Sequence, residues 1–241
     1  MKIILVNDYD EMSKITAQLV EKQVSKNEHS VLGLATGATP VGLYKNLIEG
    51  HLTRGISYEN VKTINLDEYL GVEKDHSYSY HSFMSETLFK HINIANENTF
   101  IPDGTPISAE EECIRYEEII DTVGPINLQI LGIGTNGHIG FNEPGTDPNN
   151  ETHIVELNES TRNDNAQYFQ SLDEVPTHAI TTGIRSILKS EQILLLVSGK
   201  NKAQAVKTLL EKNVTEQFPA SYLWNHDNVT LIVDKNAYEL V

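Results

Sequence analysis

Residues 132–144 combine a titratable ring, a carboxylate and an unusually free backbone. The stretch holds four glycines within nine residues, and Glu143 follows His138 by five positions. Histidine changes its charge near neutral pH, so His138 suits general acid–base proton transfer, and Glu143 is near enough in sequence to orient its ring. The glycines permit the backbone to approach a ligand closely. A histidine beside glycines can also be purely structural, and these residues alone leave both interpretations open.

Adjacent carboxylates, Asp67 and Glu68, directly follow an apolar run. A carboxylate at a strand end can act as a base, bind a metal or cap the next element. Successive side chains point in different directions, so we do not expect Asp67 and Glu68 to serve one site together. Capping or ion pairing is the ordinary alternative for such a pair.

Two further segments have the composition of an anion site. Residues 36–40 lie between an apolar run and an amphipathic stretch; Gly37 allows a tight turn, and Thr36 and Thr39 offer hydroxyls. Amides at a helix N-terminus there would point at an anion. Lys202 begins another amphipathic stretch, where its ammonium group could join the helix dipole in holding a phosphate. The alternatives are a plain turn with Thr39 as N-cap, and a surface lysine.

Apolar runs that alternate with amphipathic stretches must position these residues. This alternation is typical of an α/β fold with a mostly parallel sheet flanked by helices. The predicted strands are 2–6, 30–35, 61–66, 127–133, 192–198 and 229–233, and the predicted helices are 9–26, 41–49, 79–91, 109–122 and 202–211.

The predicted strand ends indicate where a site would form. In open α/β sheets, ligands bind beyond the carboxyl ends of the strands. Segments 36–40, 67–69 and 132–143 each begin where a predicted strand ends, so we expect them to converge. Residues 146–178 are polar and weakly periodic, and a long segment of this kind is often a mobile cover, so we predict a lid there. We expect residues 1–241 to form a single domain.

Composition restricts the class of partner. The chain carries 34 acidic and 18 basic residues, a net charge of −16, which opposes binding to nucleic acid or an anionic membrane. A local lysine or a set of amides can still hold a phosphate. No run approaches the roughly 20 apolar residues of a membrane span, and the first apolar run is too short for a signal peptide. We therefore expect a cytoplasmic protein.

Several other kinds of site are excluded by residue counts and spacing. Cys113 is the only cysteine, so neither an intramolecular disulfide nor a thiolate metal cluster can form. His76, His81 and His91 are too loosely spaced to be metal ligands. The glycines of 132–140 lack the acidic residue that a dinucleotide site requires, and they lead to a histidine instead of opening a helix.

Taken together, residues 34–40, 65–69, 132–144 and 218–221 closely resemble the glucosamine-6-phosphate deaminase family, and the likeness covers nearly the whole chain. Residues 137–144 distinguish that family from the related 6-phosphogluconolactonases. The resemblance implies a Rossmann-like sheet covered by helices. It also implies conversion of glucosamine 6-phosphate and water to fructose 6-phosphate and ammonia, an isomerising hydrolase reaction of amino-sugar catabolism.

The resemblance also implies roles for individual residues. Asp67 matches the base that moves a proton between C2 and C1 through an enolamine, and His138 matches the group that opens the pyranose ring, assisted by Glu143 and Asn136. This agrees with the chemistry, because an aldose–ketose isomerisation needs a carboxylate beside the C2 proton and ring opening needs a separate acid–base group near O5.

The implied phosphate pocket consists of Thr36, Gly37 and Thr39 together with Lys202. The resemblance implies no organic cofactor and no metal. The expected partner is a small sugar phosphate, with no nucleic acid and no membrane.

Five positions depart from the family pattern. Ala38 replaces a common glycine, Gln167 aligns with an arginine that often contacts the phosphate, and Asn136 stands where some members have aspartate. His153 and Val155 replace basic residues that some hexameric members use to bind an activator. We therefore expect an unregulated monomer or low-order homo-oligomer.

Two alternatives to the deaminase stay open. The first keeps the fold and the proton chemistry but acts as an isomerase or hydrolase on another sugar phosphate, which Gln167 could permit. The second is a non-catalytic sugar-phosphate sensor. A sensor in a transcriptional regulator would need a DNA-binding extension, for which we see neither spare length nor a basic helix. It would also have no use for Asp67, His138 and Glu143 together.

Overall fold

A seven-stranded parallel sheet forms the centre of the computed structural model, which describes residues 1–166 and 169–241. Its strand order is β1-β10-β9-β6-β2-β3-β5, and every neighbouring pair is parallel. The prediction of a parallel α/β fold is confirmed. The strands are β1 (Lys2–Val6), β2 (Val31–Leu34), β3 (Lys62–Asn65), β5 (Thr99–Phe100), β6 (Leu128–Leu131), β9 (Ile193–Val197) and β10 (Val229–Asp234).

Helices cover both faces of this sheet. β9, with the sequence ILLLV, is buried along its whole length, as expected for a strand between two helical layers. The helices are α1 (Tyr9–Lys26), α2 (Val41–Arg54), α3 (Tyr80–Thr87), α4 (Ala109–Val123), α5 (Glu159–Asn165), α6 (Ile184–Ile187) and α7 (Ala203–Leu210). None of the described helices is both long enough and apolar enough to cross a bilayer.

A second, antiparallel sheet of three strands was not predicted. It contains β4 (Asp67–Tyr69), β8 (His178–Thr181) and β7 (His153–Glu156), in the order β4-β8-β7. β4 begins two residues after β3 ends, so the chain passes from one sheet into the other at Asp67. In the register, Asp67 lies opposite Thr181. This small sheet fixes the residue that the sequence marks as a base.

Several predicted helix boundaries were wrong, each for a local reason. α2 runs to Arg54 instead of residue 49, and it ends at Gly55, whose φ of 72° suits a left-handed cap. Gly50 lies inside this helix because the Glu21 carboxylate packs over it; a Cβ there would lie 2.0 Å from Glu21 Oε1. α3 ends at Thr87, before a separate 3₁₀ turn, and α7 begins only at Ala203.

Candidate active site

The segments at the strand ends surround a cavity of about 780 Å³. Six of the residues marked by sequence line it: Thr36, Gly37, Thr39, Asp67, His138 and Lys202. The predicted convergence of the three segments is confirmed. Asn136 and Glu143 do not line the cavity but lie behind His138, in contact with each other. A smaller hollow of about 220 Å³ is lined by Asp121 and Lys189, which already form an ion pair.

Asp67 presents a buried carboxylate to the cavity. Only 5% of the residue is exposed. Burial, together with the negative charge of Glu68, raises the pKa of Asp67 to about 8. Gly140 passes close by, since a Cβ at that position would lie 3.6 Å from Asp67 Oδ2. The absence of a side chain at Gly140 therefore keeps the space beside the carboxylate open.

Glu68 points away from the cavity and binds the start of α3. Its carboxylate accepts hydrogen bonds from the backbone N–H groups of Tyr69 and Tyr80, both at 2.9 Å, and from that of His81 at 3.1 Å. His81 Nδ1 lies 3.1 Å from Glu68 Oε2. The expectation that the adjacent carboxylates serve different purposes is confirmed, because Glu68 caps a helix and Asp67 faces the cavity.

Glu143 supports His138 from a position outside the cavity. Glu143 Oε2 lies 3.7 Å from His138 Nδ1, an ion-pair distance longer than a hydrogen bond. The same oxygen accepts hydrogen bonds from Asn136 Nδ2 at 2.8 Å and Asn158 Nδ2 at 2.9 Å. Burial would raise the pKa of Glu143, but its contacts with His138, Thr161 and Asn136 outweigh burial and lower that pKa to about 2. Glu143 is therefore a permanent negative charge beside the imidazole.

The 36–40 turn also lines the cavity, and its shape is well fixed. Gly37 has a φ of 85°, which glycine adopts without strain. Tyr9 braces the turn from α1: its hydroxyl donates to Ala38 O at 3.0 Å and accepts from Gly42 N at 2.7 Å. Helix α2 has Pro40 as its N-cap, with no side-chain cap, so the alternative of Thr39 as N-cap is wrong.

The Ala38 methyl group does not strain the turn. A crowding effect was expected only if this backbone required a positive φ. Among the described non-glycine residues, Lys212 alone has a positive φ, so Ala38 keeps an ordinary conformation.

A buried aspartate at the end of β10 shapes the turn that carries Lys202. Asp234 accepts hydrogen bonds from Ser198 Oγ at 2.6 Å, Gly199 N at 3.1 Å and Ala237 N at 2.7 Å. The chain then makes one 3₁₀ turn, and Lys202 becomes the N-cap of α7. Lys202 thus reaches the cavity from the N-cap position of a helix.

Sequence reasoning missed some of the residues that contribute to this site. Ser198 and Asn201 line the cavity beside Lys202, and the strand-end rule applied to β9 would have found both. Tyr80, a half-buried residue, also lines it. Desolvation of its hydroxyl, together with the neighbouring Tyr69, raises the pKa of Tyr80 well above its usual value. Nothing in the spacing marked Tyr80. Gln167 lies outside the described residues.

Similarity to known proteins covers the whole chain. A family model described as glucosamine-6-phosphate isomerases/6-phosphogluconolactonase matches residues 8–232. Glucosamine-6-phosphate deaminase of Thermoanaerobacter sp. (strain X514) is 51% identical over 241 residues, which cover 100% of this chain and 95% of the relative. Glucosamine-6-phosphate deaminase 1 of Bacillus subtilis (strain 168) is 49% identical over 240 residues, 100% of this chain and 99% of the relative.

Solved structures give the same result for the fold. A structure described as a monomeric glucosamine-6-phosphate deaminase superposes with a TM-score of 0.99 at 48% identity and covers 100% of both chains. A 6-phosphogluconolactonase from Thermotoga maritima superposes with a TM-score of 0.76 at 22% identity, covering 97% of this chain and 99% of that one. The second likeness concerns the fold alone.

Proposed function

The chain belongs to the family of glucosamine-6-phosphate isomerases and 6-phosphogluconolactonases, and from that premise we infer that it is a glucosamine-6-phosphate deaminase. It converts glucosamine 6-phosphate and water to fructose 6-phosphate and ammonia. The observation that carries this inference is the placement of Asp67 and His138 on one cavity, with each side chain in a different electrostatic environment. An isomerisation that begins from a closed sugar ring needs two such groups.

The phosphate of the substrate binds at the end of the cavity formed by residues 36–39 and Lys202. The amides of the turn and the hydroxyls of Thr36 and Thr39 donate to the phosphate oxygens, and the ammonium group of Lys202 adds a positive charge. Holding the phosphate at this end places the sugar carbons toward Asp67 and His138. Binding energy remote from the reacting atoms is thereby used for orientation.

Ring opening is the first step, and His138 transfers the proton between the C1 hydroxyl and the ring oxygen O5. The C1 hydroxyl loses a proton and the ring oxygen O5 gains one as the C1–O5 bond breaks, which gives the open-chain aldehyde. Glu143 supports this step by orienting the ring, because its carboxylate lies 3.7 Å from His138 Nδ1. Asn136 and Asn158 hold the Glu143 carboxylate in place.

Asp67 then moves a proton between two carbons. Its carboxylate removes the proton from C2, the aldehyde oxygen is protonated, and an enolamine forms. The same proton returns to C1 while O1 keeps its proton, and the nitrogen lone pair forms the C2=N bond, which leaves a protonated imine at C2. Water adds to this imine and ammonia departs, giving fructose 6-phosphate. The high pKa of Asp67, about 8, suits a base that must hold a proton from carbon between the two steps.

We propose that residues 146–178 form the lid over this cavity within a single domain of residues 1–241. α5 lies in this segment, and its residues Thr161 and Asn165 line the cavity. Thr161 Oγ1 also lies 3.5 Å from His138 Nδ1. Closure of the segment would exclude water from the enolamine.

We further propose that the chain acts as a cytoplasmic monomer. The solved relative at 48% identity is described as monomeric, which supports the assembly. A phosphorylated substrate supports the location, because a charged phosphate ester crosses a bilayer poorly and remains in the compartment where it is made.

Ammonia release from glucosamine 6-phosphate by the purified protein tests the activity, with fructose 6-phosphate measured in the same samples. Glucosamine controls for the phosphate, and N-acetylglucosamine 6-phosphate controls for the free amine. We expect equal amounts of both products and no release from either control. Release of fructose 6-phosphate without ammonia, or activity only on another sugar phosphate, would contradict the assignment.

A further inference from the structure

A turn at residues 215–221 contacts the loop that carries His138, although none of its residues lines the cavity. This turn contains Phe218 and Ser221, the ends of one of the family-like segments, which has so far been assigned no role. The turn includes the first residues of the 3₁₀ helix Pro219–Asn225 and lies on the sheet face covered by α7.

The turn contacts the loop that carries His138 at two points, one before His138 in sequence and one after it. The Phe218 ring packs directly on Gly137, where a Cβ would lie 2.2 Å from Phe218 Cδ2. Ala220 N donates to Gly137 O at 2.8 Å. At the other end of the loop, Gly145 N donates to Glu216 O at 2.8 Å. His138 and Glu143 lie between these two attachment points.

The turn has a well-defined conformation of its own, so it can hold Gly137 in place. Ser221 Oγ accepts a hydrogen bond from Thr215 N at 2.9 Å and donates to Thr215 O at 3.1 Å, which closes the turn. Phe218 N adds a bond to Thr215 O at 3.1 Å. Phe218 and Ala220 are buried in the same apolar cluster as Ile139 and the strands β9 and β10. The turn is therefore an extension of the rigid core.

The conformation of Gly137 must be fixed by a contact from outside the loop, because glycine can adopt many backbone dihedral angles. Its φ is 88°, in the left-handed region where glycine has several alternatives of similar energy. A change in the Gly137 dihedral angles would swing His138, the next residue, relative to Asp67 and Glu143. The ring of Phe218 occupies the space that a side chain at position 137 would fill.

We propose that Phe218 is a positioning residue, which together with the closed 215–221 turn fixes Gly137 and thereby sets the orientation of the His138 ring. This inference rests on the proposed deaminase activity. It differs from ordinary core packing in its consequence: loss of the contact should reduce turnover more than it reduces substrate binding, because no residue of this turn lines the cavity.

Phe218→Ala, Phe218→Leu and Ser221→Ala test the proposal. We expect Phe218→Ala to lower kcat by about 10- to 100-fold, the scale of a misplaced catalytic group, with KM within about threefold of wild type. Phe218→Leu retains an apolar side chain against Gly137 and should recover most of kcat. Ser221→Ala opens the turn without removing the ring, so it should lower kcat in the same direction by a smaller factor, even if Phe218→Ala proves too unstable to purify.

Leu223→Ala is the matched control for lost packing. Leu223 is fully buried in the 3₁₀ helix that follows Phe218, and it belongs to the same apolar cluster as Phe218. Leu223→Ala should lower Tm as Phe218→Ala does, but leave kcat near the wild-type value. Gln217→Ala, at an exposed position of the same turn, should change neither quantity.

The imidazole signals of His138 in ¹⁵N-labelled protein give a readout that does not depend on activity, with assignment by His138→Gln. We expect the His138 signals to shift in the Phe218 and Ser221 variants and to stay unchanged in Leu223→Ala, while those of His226 stay fixed in all. Folded Phe218→Ala with wild-type kcat and unchanged His138 signals would overturn the proposal. So would a loss of kcat in Leu223→Ala that matches the loss in Phe218→Ala. If the wild-type protein releases no ammonia, the proposed function fails, and the His138 signals still test the contact.

Discussion

Asp67 and Glu143 are equally buried, each with 5% of the residue exposed, yet their pKa values move in opposite directions. Burial and the neighbouring Glu68 charge govern Asp67, so its neutral form is favoured. Glu143 is surrounded by donors from Asn136, Asn158 and the His138 ring, so its charged form is favoured. Two carboxylates whose pKa values are driven apart can take separate roles, one as a base that accepts protons and the other as a fixed charge.

Replacing Asp67 with asparagine should abolish turnover without harming the fold. We expect kcat to fall by about 10²-fold or more, since an amide cannot accept the C2 proton. Because the folded-state pKa of Asp67 is raised, folding favours its neutral form, and ionisation costs stability as pH rises from the unfolded pKa near 4 to about 8. Asp67→Asn removes that cost, so its Tm at pH 7.5 should equal or exceed that of wild type. Unaltered kcat in a folded variant would exclude Asp67 as the base.

The charge of Glu68 should also be visible in the pH profile. The ionised form of Asp67 is the active base, so kcat/KM should rise with pH through the pKa of Asp67 in the free enzyme, about 8. Tyr44, Tyr80 and Tyr116 also interact with Asp67, but burial raises their pKa values and they stay neutral in this range. Glu68 is therefore the residue whose charge should be removed to test its effect on the pKa of Asp67.

Glu68→Gln removes the negative charge and keeps an oxygen that can cap α3. We expect the rise of kcat/KM to move to lower pH, because a neighbouring charge that raises the pKa of Asp67 is gone. Rates measured from pH 5.5 to 9.5 for both proteins give the shift as a difference, in which the titration of the substrate itself cancels. An unchanged midpoint, or a shift to higher pH, would mean that Glu68 does not act on Asp67 electrostatically.

At the scale of elements, the sequence predicted the sheet that carries the site but not the sheet that flanks it. The strands of the parallel sheet are apolar runs such as 193–197, buried on both faces, and this pattern is visible locally. β7 reads HIVE and β4 reads DEY, three or four residues of mixed polarity. Each pairs with β8, and β4 does so across more than 100 positions of sequence, since Asp67 lies opposite Thr181. No local pattern encodes such a pairing.

The same limit applies to the site itself. The strand-end rule brought Asp67, His138 and the 36–39 turn together correctly, because it depends only on parallel strands. It could not find Asn158 and Thr161, which contact Glu143 and His138 from the 146–178 segment. That segment was predicted only as a cover, and its side-chain contacts depend on how it folds back over the cavity.

The cover segment carries a prediction about Gln167, which remains a hypothesis from sequence. If this position serves the phosphate, an amide in place of the family's arginine removes a charge-assisted hydrogen bond worth roughly 1.5–3 kcal/mol. Gln167→Arg should then lower KM for glucosamine 6-phosphate by about tenfold or more, with kcat nearly unchanged, because phosphate binding is similar in ground and transition states. Lys202→Ala is the companion variant and should raise KM sharply. A wild-type KM in Gln167→Arg, beside a raised KM in Lys202→Ala, would mean that the cover makes no phosphate contact here.

For the whole molecule, the strand ends of one sheet position most of the residues in the proposed chemistry. The carboxyl ends of β2, β3, β6 and β9 lead into the segments that bind the phosphate, hold the base and hold the histidine. Buried carboxylates hold two of these segments: Asp234 binds the turn that carries Lys202, and Glu68 joins β4 to the start of α3. The described residues of one chain thus line the cavity and support it from behind.

The net charge of the chain gives a prediction for the assembly. Copies of a chain with a net charge of −16 repel each other, and the edge strand β1 is where a second copy could add by backbone pairing, because its residues Ile3 and Leu5 are exposed. We expect light scattering after gel filtration in 0.15 M salt to give the mass of one chain at all protein concentrations from 1 to about 100 μM, and the rate to depend hyperbolically on glucosamine 6-phosphate. A mass of twice that value would contradict the monomer. Leu5→Lys would then show whether the β1 edge is responsible, since a charge there should dissociate an edge-paired dimer and leave any other dimer intact.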